Sequence, residues 1–113
     1  MYMLLSNLNH QKNGYNSETF KKDFGDHRWL ATIGGGLQDV RAWDNDKKRY
    51  TDQVIAKALD LYVVNAGFQR VKFPANFSLA NITELSEVEL ISPVACELRG
   101  RVYVKADGLK EVN

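Results

Sequence analysis

Residues 54–64 read VIAKALDLYVV, and the fold turns on whether this run is a helix or a strand. Ala56, Lys57, Ala58 and Leu59 favour helix locally, since none is β-branched and all lose little rotamer freedom in a helical turn. LDLYVV argues the other way. Its alternation places Leu59, Leu61 and Val63 on one face and Asp60, Tyr62 and Val64 on the other, and its residue types suit a pleated, half-buried surface. Strand is the better reading, and the following residues support it. Asn65-Ala66-Gly67 is a turn signal, and FQRVKFP (68–74) is a second strand that Pro74 ends, because proline has no N–H to give a ladder. The two strands make a hairpin.

Upstream, RWLATI (28–33) is rich in β-branched and aromatic residues, Gly34-Gly35-Gly36 follows, and LQDVRAW (37–43) resumes the apolar pattern. This is two strands, or one strongly bent strand. A phosphate-cradling loop would need Lys and Ser/Thr directly after the glycines and a helix behind them. LQDV stands there instead, so the glycines read as a bend or bulge. DNDKKRYTD (44–52) is a run of turn formers and bases. Downstream, ANFSLANITELSE (75–87) reads as a connection with one helical turn. EVELISPVACELRGRVYVKADGL (87–109) supplies two more strands, turning at Arg99-Gly100 or at Ser92-Pro93. Residues 6–27 are polar with scattered rings and no sustained period. They read as a loosely ordered arm with a helical turn at SETFKKDF, where Ser17 is placed to cap and Phe20 and Phe24 share a face.

These elements predict an all-β, mainly antiparallel fold: a small five- to six-stranded barrel of the oligonucleotide-binding (OB) type, with a short helical connection and a polar N-terminal arm (1–27) ahead of a single domain (28–113). A small sandwich is the alternative that strand count leaves open. The 113 residues, 44% of them apolar, suffice for one core. MYMLL has no basic flank and is followed at once by polar residues, so neither a signal peptide nor a spanning helix is expected, and the reading is cytoplasmic.

Enzyme chemistry finds little support. Cys96 is the sole cysteine, which excludes an internal disulfide and a cysteine-built zinc site, and it has no neighbouring base to make it a nucleophile. His10 and His27 lack partners at metal-ligand spacing. Glu87 and Glu89 share one strand face, read as exposed to water. No catalytic residue, metal or cofactor is expected. Fifteen Lys and Arg against 14 Asp and Glu leave a net charge of +1, so no global field draws the chain to duplex DNA and any nucleic-acid binding must be local.

A local patch is readable. In RVYVKA (101–106), Arg101, Tyr103 and Lys105 alternate with Val102, Val104 and Ala106, and in FQRVKFP, Arg70 and Lys72 oppose Val71 and Phe73. Tyr62 lies opposite Leu61 and Val63. If these outward faces coincide, they form a platform for single-stranded nucleic acid, rings stacking on bases and cations following phosphates. Lys, Arg and Tyr are also ordinary on solvent-facing strands, and charges there discourage edge pairing. The 41–50 stretch extends the candidate set to Arg41, Trp43, Lys47, Lys48 and Arg49. Trp43, just before a turn, has two equal readings: a stacking ring, or a cap on the end of the core.

The C-terminal half resembles the small auxiliary replication proteins of integrative conjugative elements and related plasmids, some of which act as helicase processivity factors. The resemblance is carried by VKFP (Val71 to Pro74), EVELISPV (Glu87 to Val94) and YVKAD (Tyr103 to Asp107), with DFG (Asp23 to Gly25) placed like the FG that opens that domain. It centres on Gln69 to Asp107. The arm before Gly25 and the Arg41 to Tyr50 loop match no motif of that family. The resemblance implies an OB-like barrel that works on single-stranded DNA in replication or transfer of a mobile element, beside a helicase or a relaxase, without catalysis. A homodimer is compatible with this. The competing expectation is a protein-interaction module of a phage or conjugative element, docking through strand edges or the VELISPV region, with no direct nucleic-acid contact.

Overall fold

The computed structural model describes residues 14–79 and 81–112. His10 and the first half of the polar arm lie outside the described residues. Among the described residues one helix, α1 (Ser17–Phe24), precedes eight strands: β1 (Trp29–Leu30), β2 (Gln38–Asp44), β3 (Arg49–Val63), β4 (Gly67–Phe73), β5 (Glu87–Ile91), β6 (Val94–Leu98), β7 (Arg101–Lys105) and β8 (Gly108–Glu111). The ladder order is β6-β7-β4-β3-β1-β5-β8, with β2 paired to β3 as well. All pairs are antiparallel except β4 with β7, which run parallel. The hydrogen-bonded path is open from β6 to β8, so the fold is all-β with a mixed, mostly antiparallel sheet, of eight strands where the sequence suggested five or six.

The deciding stretch is a strand. β3 is longer than its apolar half, because RYTDQ at its start pairs with β2 through a ladder broken by register shifts beside Arg41. Polar composition hid that half. Leu59, Leu61, Val63, Val71 and Phe73 point into the core as alternation requires, joined by Trp29, Val88, Ala95 and Val104. The triglycine does bend the chain. Both β1 and β2 pair with β3, but residues 31–37 loop out against Leu59 to Leu61.

Two local expectations are corrected. The connection 74–86 contains turns and no helix among its described residues, since Asn81 and Leu85 hold positive φ values (70° and 66°) that a right-handed helix excludes. Phe77, Leu79 and Ile82 still pack it onto the core. The helical turn expected at SETFKKDF is present as α1, but its cap is Asn16 rather than Ser17: Asn16 Oδ1 accepts from Thr19 N at 2.7 Å. Phe20 and Phe24 share a face, as their spacing predicts, and meet Trp29 at ring separations of 5.9 and 5.2 Å.

The last two sequence strands fall into four pieces of one hairpin. It turns at Arg99-Gly100, where both residues have positive φ (55° and 80°), the geometry of a two-residue type I′ turn. Ser92-Pro93 is a bend, not a turn. Val94 pairs with Lys105 on one side of it and Ile91 with Gly108 on the other, so a single register runs through both halves.

Candidate nucleic-acid interface

The outward residues of β3, β4 and β7 form the candidate surface. Val71 is level with Val104 and Lys72 with Lys105 across the parallel pair, while Asp60 faces Arg70 and Tyr62 faces Phe68 across the antiparallel one. Inward valines and leucines fix the register, because a one-residue slip would turn the core face to water. The same alternation therefore gathers Tyr62, Arg70, Lys72, Tyr103 and Lys105 on one face. Arg101 stands at its edge, directly after the 99–100 tip.

Two hairpin tips bracket this face. β3 starts at the 45–48 tip and ends where it meets the start of β4; β7, parallel to β4, starts at the 99–100 tip. The tips thus stand at opposite ends of the face. Between them runs a chain of concavities. One of about 310 Å3 is lined by Lys47, Arg49 and Tyr50. The next, about 310 Å3, shares Tyr50 and adds Arg41 and Arg70. The third, about 380 Å3, shares Arg70 and adds Tyr15, Lys72, Arg101 and Tyr103. A further cleft of about 550 Å3 continues past Lys72 and Lys105.

The cations differ in what they face. Arg70 Nε and Nη2 contact Asp60 at 3.0 and 3.3 Å, a bidentate pair, and Arg41 lies 3.7 and 3.8 Å from Asp39 and Asp52. Those two are largely neutralised. Lys22, Arg28, Lys57 and Lys110 are also in ion pairs. Among the described residues the remaining cations besides Lys21 make no ion pair: Lys47, Lys48 and Arg49 at the first tip, Arg99 and Arg101 at the second, and Lys72 and Lys105 between. Carboxylates share these concavities, Asp44 and Asp52 in the first, Asp39 in the second and Asp107 in the last, whereas the third holds Arg70, Lys72 and Arg101 with no carboxylate in its lining. Lys105 Nζ sits 4.1 Å from the Tyr15 ring centre, a cation–π contact.

The rings are exposed. Trp43 is 50% exposed and stands outside the core, edge-on to Tyr50 (66%) at 4.9 Å, with its indole N–H donating to Asn45 Oδ1. The core-cap reading of Trp43 therefore fails. Tyr62 meets Phe68 edge-on at 5.3 Å, and Phe68 is 70% exposed. Tyr103 is 38% exposed. Sequence reasoning passed over Phe68, Tyr50 and Tyr15. Phe68 was findable, since it shares the parity of Arg70 and Lys72; Tyr15 was not, because only the folded chain brings it to β7.

Elsewhere, His27 Nδ1 lies 2.9 Å from the Val64 carbonyl, the distance of a donated hydrogen bond, and Cys96 is a half-buried thiol facing Tyr103 across the ladder. No helix among the described residues is long and apolar enough to cross a membrane.

A solution NMR structure of SAG0934 from Streptococcus agalactiae is similar to this chain, with a TM-score of 0.53 and 24% sequence identity over 81% of this chain and 87% of that one. At that identity the likeness concerns the fold alone. No protein-family model and no curated protein matches the sequence.

Proposed function

We propose that this protein is a cytoplasmic, non-enzymatic accessory factor that binds single-stranded DNA across the outward face of β3, β4 and β7, between the two hairpin tips. The observation that carries this reading is the distribution of charge: every described cation without an ion pair, Lys21 apart, lies on that face or its tips. Exposed rings stand among them. Unpaired bases stack on such rings while cations follow the phosphates, and neither contact needs sequence readout.

The strand arrangement supports an OB-type barrel as the frame. The 87–111 hairpin keeps one register, yet its β5 half pairs with β1 and its β7 half with β4, so its two halves sit at the two ends of the remaining sheet. A kinked ribbon of that kind returns the ladder toward itself, as in the partly open five-stranded barrel whose second and third strands, with the loops at 1–2 and 4–5, hold oligonucleotides. Here those parts correspond to β3, β4 and the 45–48 and 99–100 tips. The resemblance of the C-terminal half to replication proteins of conjugative elements supports a role in replication or transfer of a mobile element, beside a helicase or relaxase.

The test is fluorescence anisotropy of a labelled thymidine oligonucleotide over a salt series. Binding should weaken with salt, each neutralised phosphate adding about −0.7 to the log–log slope. The double variant Lys72→Glu, Arg101→Glu should lose binding while keeping the wild-type unfolding midpoint. Absence of salt-sensitive binding at micromolar protein rejects the proposal.

A further inference from the structure

We infer that Tyr15 is itself a DNA-contacting ring, stacking on one unpaired base at the Arg101–Tyr103 end of the groove, and that docking of α1 holds it there. The inference rests on the single-stranded-DNA reading above.

Three constraints position this residue. Asn16, its neighbour, exchanges both backbone hydrogen bonds with Ala95 of β6, at 2.9 and 3.0 Å. The Asn16 side chain caps α1, and α1 is anchored through Phe20 and Phe24 on Trp29. Lys105 then seats over the Tyr15 ring. A ring one residue from a doubly fixed position is ordered before any ligand arrives, so little of the cost of arranging a stacking partner falls on binding.

The chemistry of the position suits a base. Tyr15 lines the same concavity as Arg70, Lys72, Arg101 and Tyr103, so a base against its ring has cations within reach of the adjoining phosphates. Burial, followed by the neighbouring Cys96 and Tyr103, raises the phenol pKa above its ordinary value, so the ring, already neutral at neutral pH, puts no negative charge beside a polyanion. Lys105 also gains a second role, since a cation on a tyrosine face and close to the strand path serves ring and phosphate together.

The experiment compares Tyr15→Ala, Tyr15→Phe and Lys105→Gln with the wild type in the anisotropy assay. Loss of one stacked base should weaken Tyr15→Ala by about tenfold, with Tyr15→Phe within about twofold of wild type. Tyr15→Ala should keep the wild-type salt slope, whereas Lys105→Gln should flatten it by about 0.7. A thymidine oligonucleotide carrying 5-iododeoxyuridine should photo-cross-link to Tyr15 in the wild-type chain, a readout that needs no variant to fold. If Tyr15→Ala binds as tightly as the wild type or more tightly, Tyr15 is a bystander or a cover that DNA displaces, and the inference is overturned. It is equally overturned if bound oligonucleotide cross-links elsewhere and not to Tyr15. A wild-type chain that binds no oligonucleotide removes the functional reading itself, a result distinct from either of these.

Discussion

Phe68 shows how one residue separates stability from binding. Its ring is 70% exposed and touches Tyr62 edge-on, while its neighbours in alternation, Val71 and Phe73, are buried. A large apolar ring left in water contributes little to the core, so removing it should cost little stability. Under the proposed function it is one of the stacking rings, at the β3–β4 turn end of the face. Phe68→Ala should therefore reduce oligonucleotide affinity by roughly 1–3 kcal/mol, the worth of one stacked base, while chemical denaturation moves by about 0.5 kcal/mol or less. A variant that unfolds early and binds normally would assign Phe68 to packing instead. The residue was readable: FQRVKFP already sets it on the face of Arg70 and Lys72. The neutralisation of Arg70 by Asp60 was not, because it depends on which residue of β3 lies opposite.

At the level of elements, the 74–86 connection is held by side chains rather than by helical hydrogen bonds. Glu111 on β8 accepts from Thr83 N at 2.6 Å and from the Ser86 hydroxyl at 3.1 Å, and Glu84 Oε1 accepts from Ile33 N at 2.9 Å. The Thr83 backbone N–H first, then the Thr83 and Ser86 side-chain contributions, hold the Glu111 carboxyl below its ordinary range. A carboxylate with a lowered folded pKa binds fewer protons than in the unfolded chain. Its contribution is present above the ordinary glutamate range and is lost as pH falls through the folded value. Thermal unfolding between neutral and acid pH should show Glu111→Gln less stable than wild type at neutral pH, with the two curves converging in acid. Parallel curves would remove Glu111 from the acid response. The sequence identified this segment as a connection, and erred on its helical turn because Asn81 and Leu85 take positive φ, which a right-handed helix excludes.

For the whole molecule, a net charge of +1 conceals an uneven distribution. Ion pairs occupy Arg41 and Arg70 along with cations elsewhere, and leave Lys72, Lys105 and the cations of the two tips without partners among the described residues. Duplex DNA hides its base faces and would be attracted only by this modest local field, so a duplex should compete for the labelled single strand at least about tenfold more weakly than an unlabelled single strand of the same length. Equal competition would point to phosphate contacts alone. By itself the sequence determined that the chain is β-rich, where the 65–67 turn falls, and which side chains of β3, β4 and β7 face in or out. Those follow from local chemistry: the period of two, the turn residues and the missing N–H of proline. Only the tertiary structure decided the parallel pairing of β4 with β7, the paired and unpaired cations, and the arrival of Tyr15 beside Lys105. Each of these joins residues far apart in the chain, and such contacts are selected by the packing of the whole core rather than by any short stretch of it.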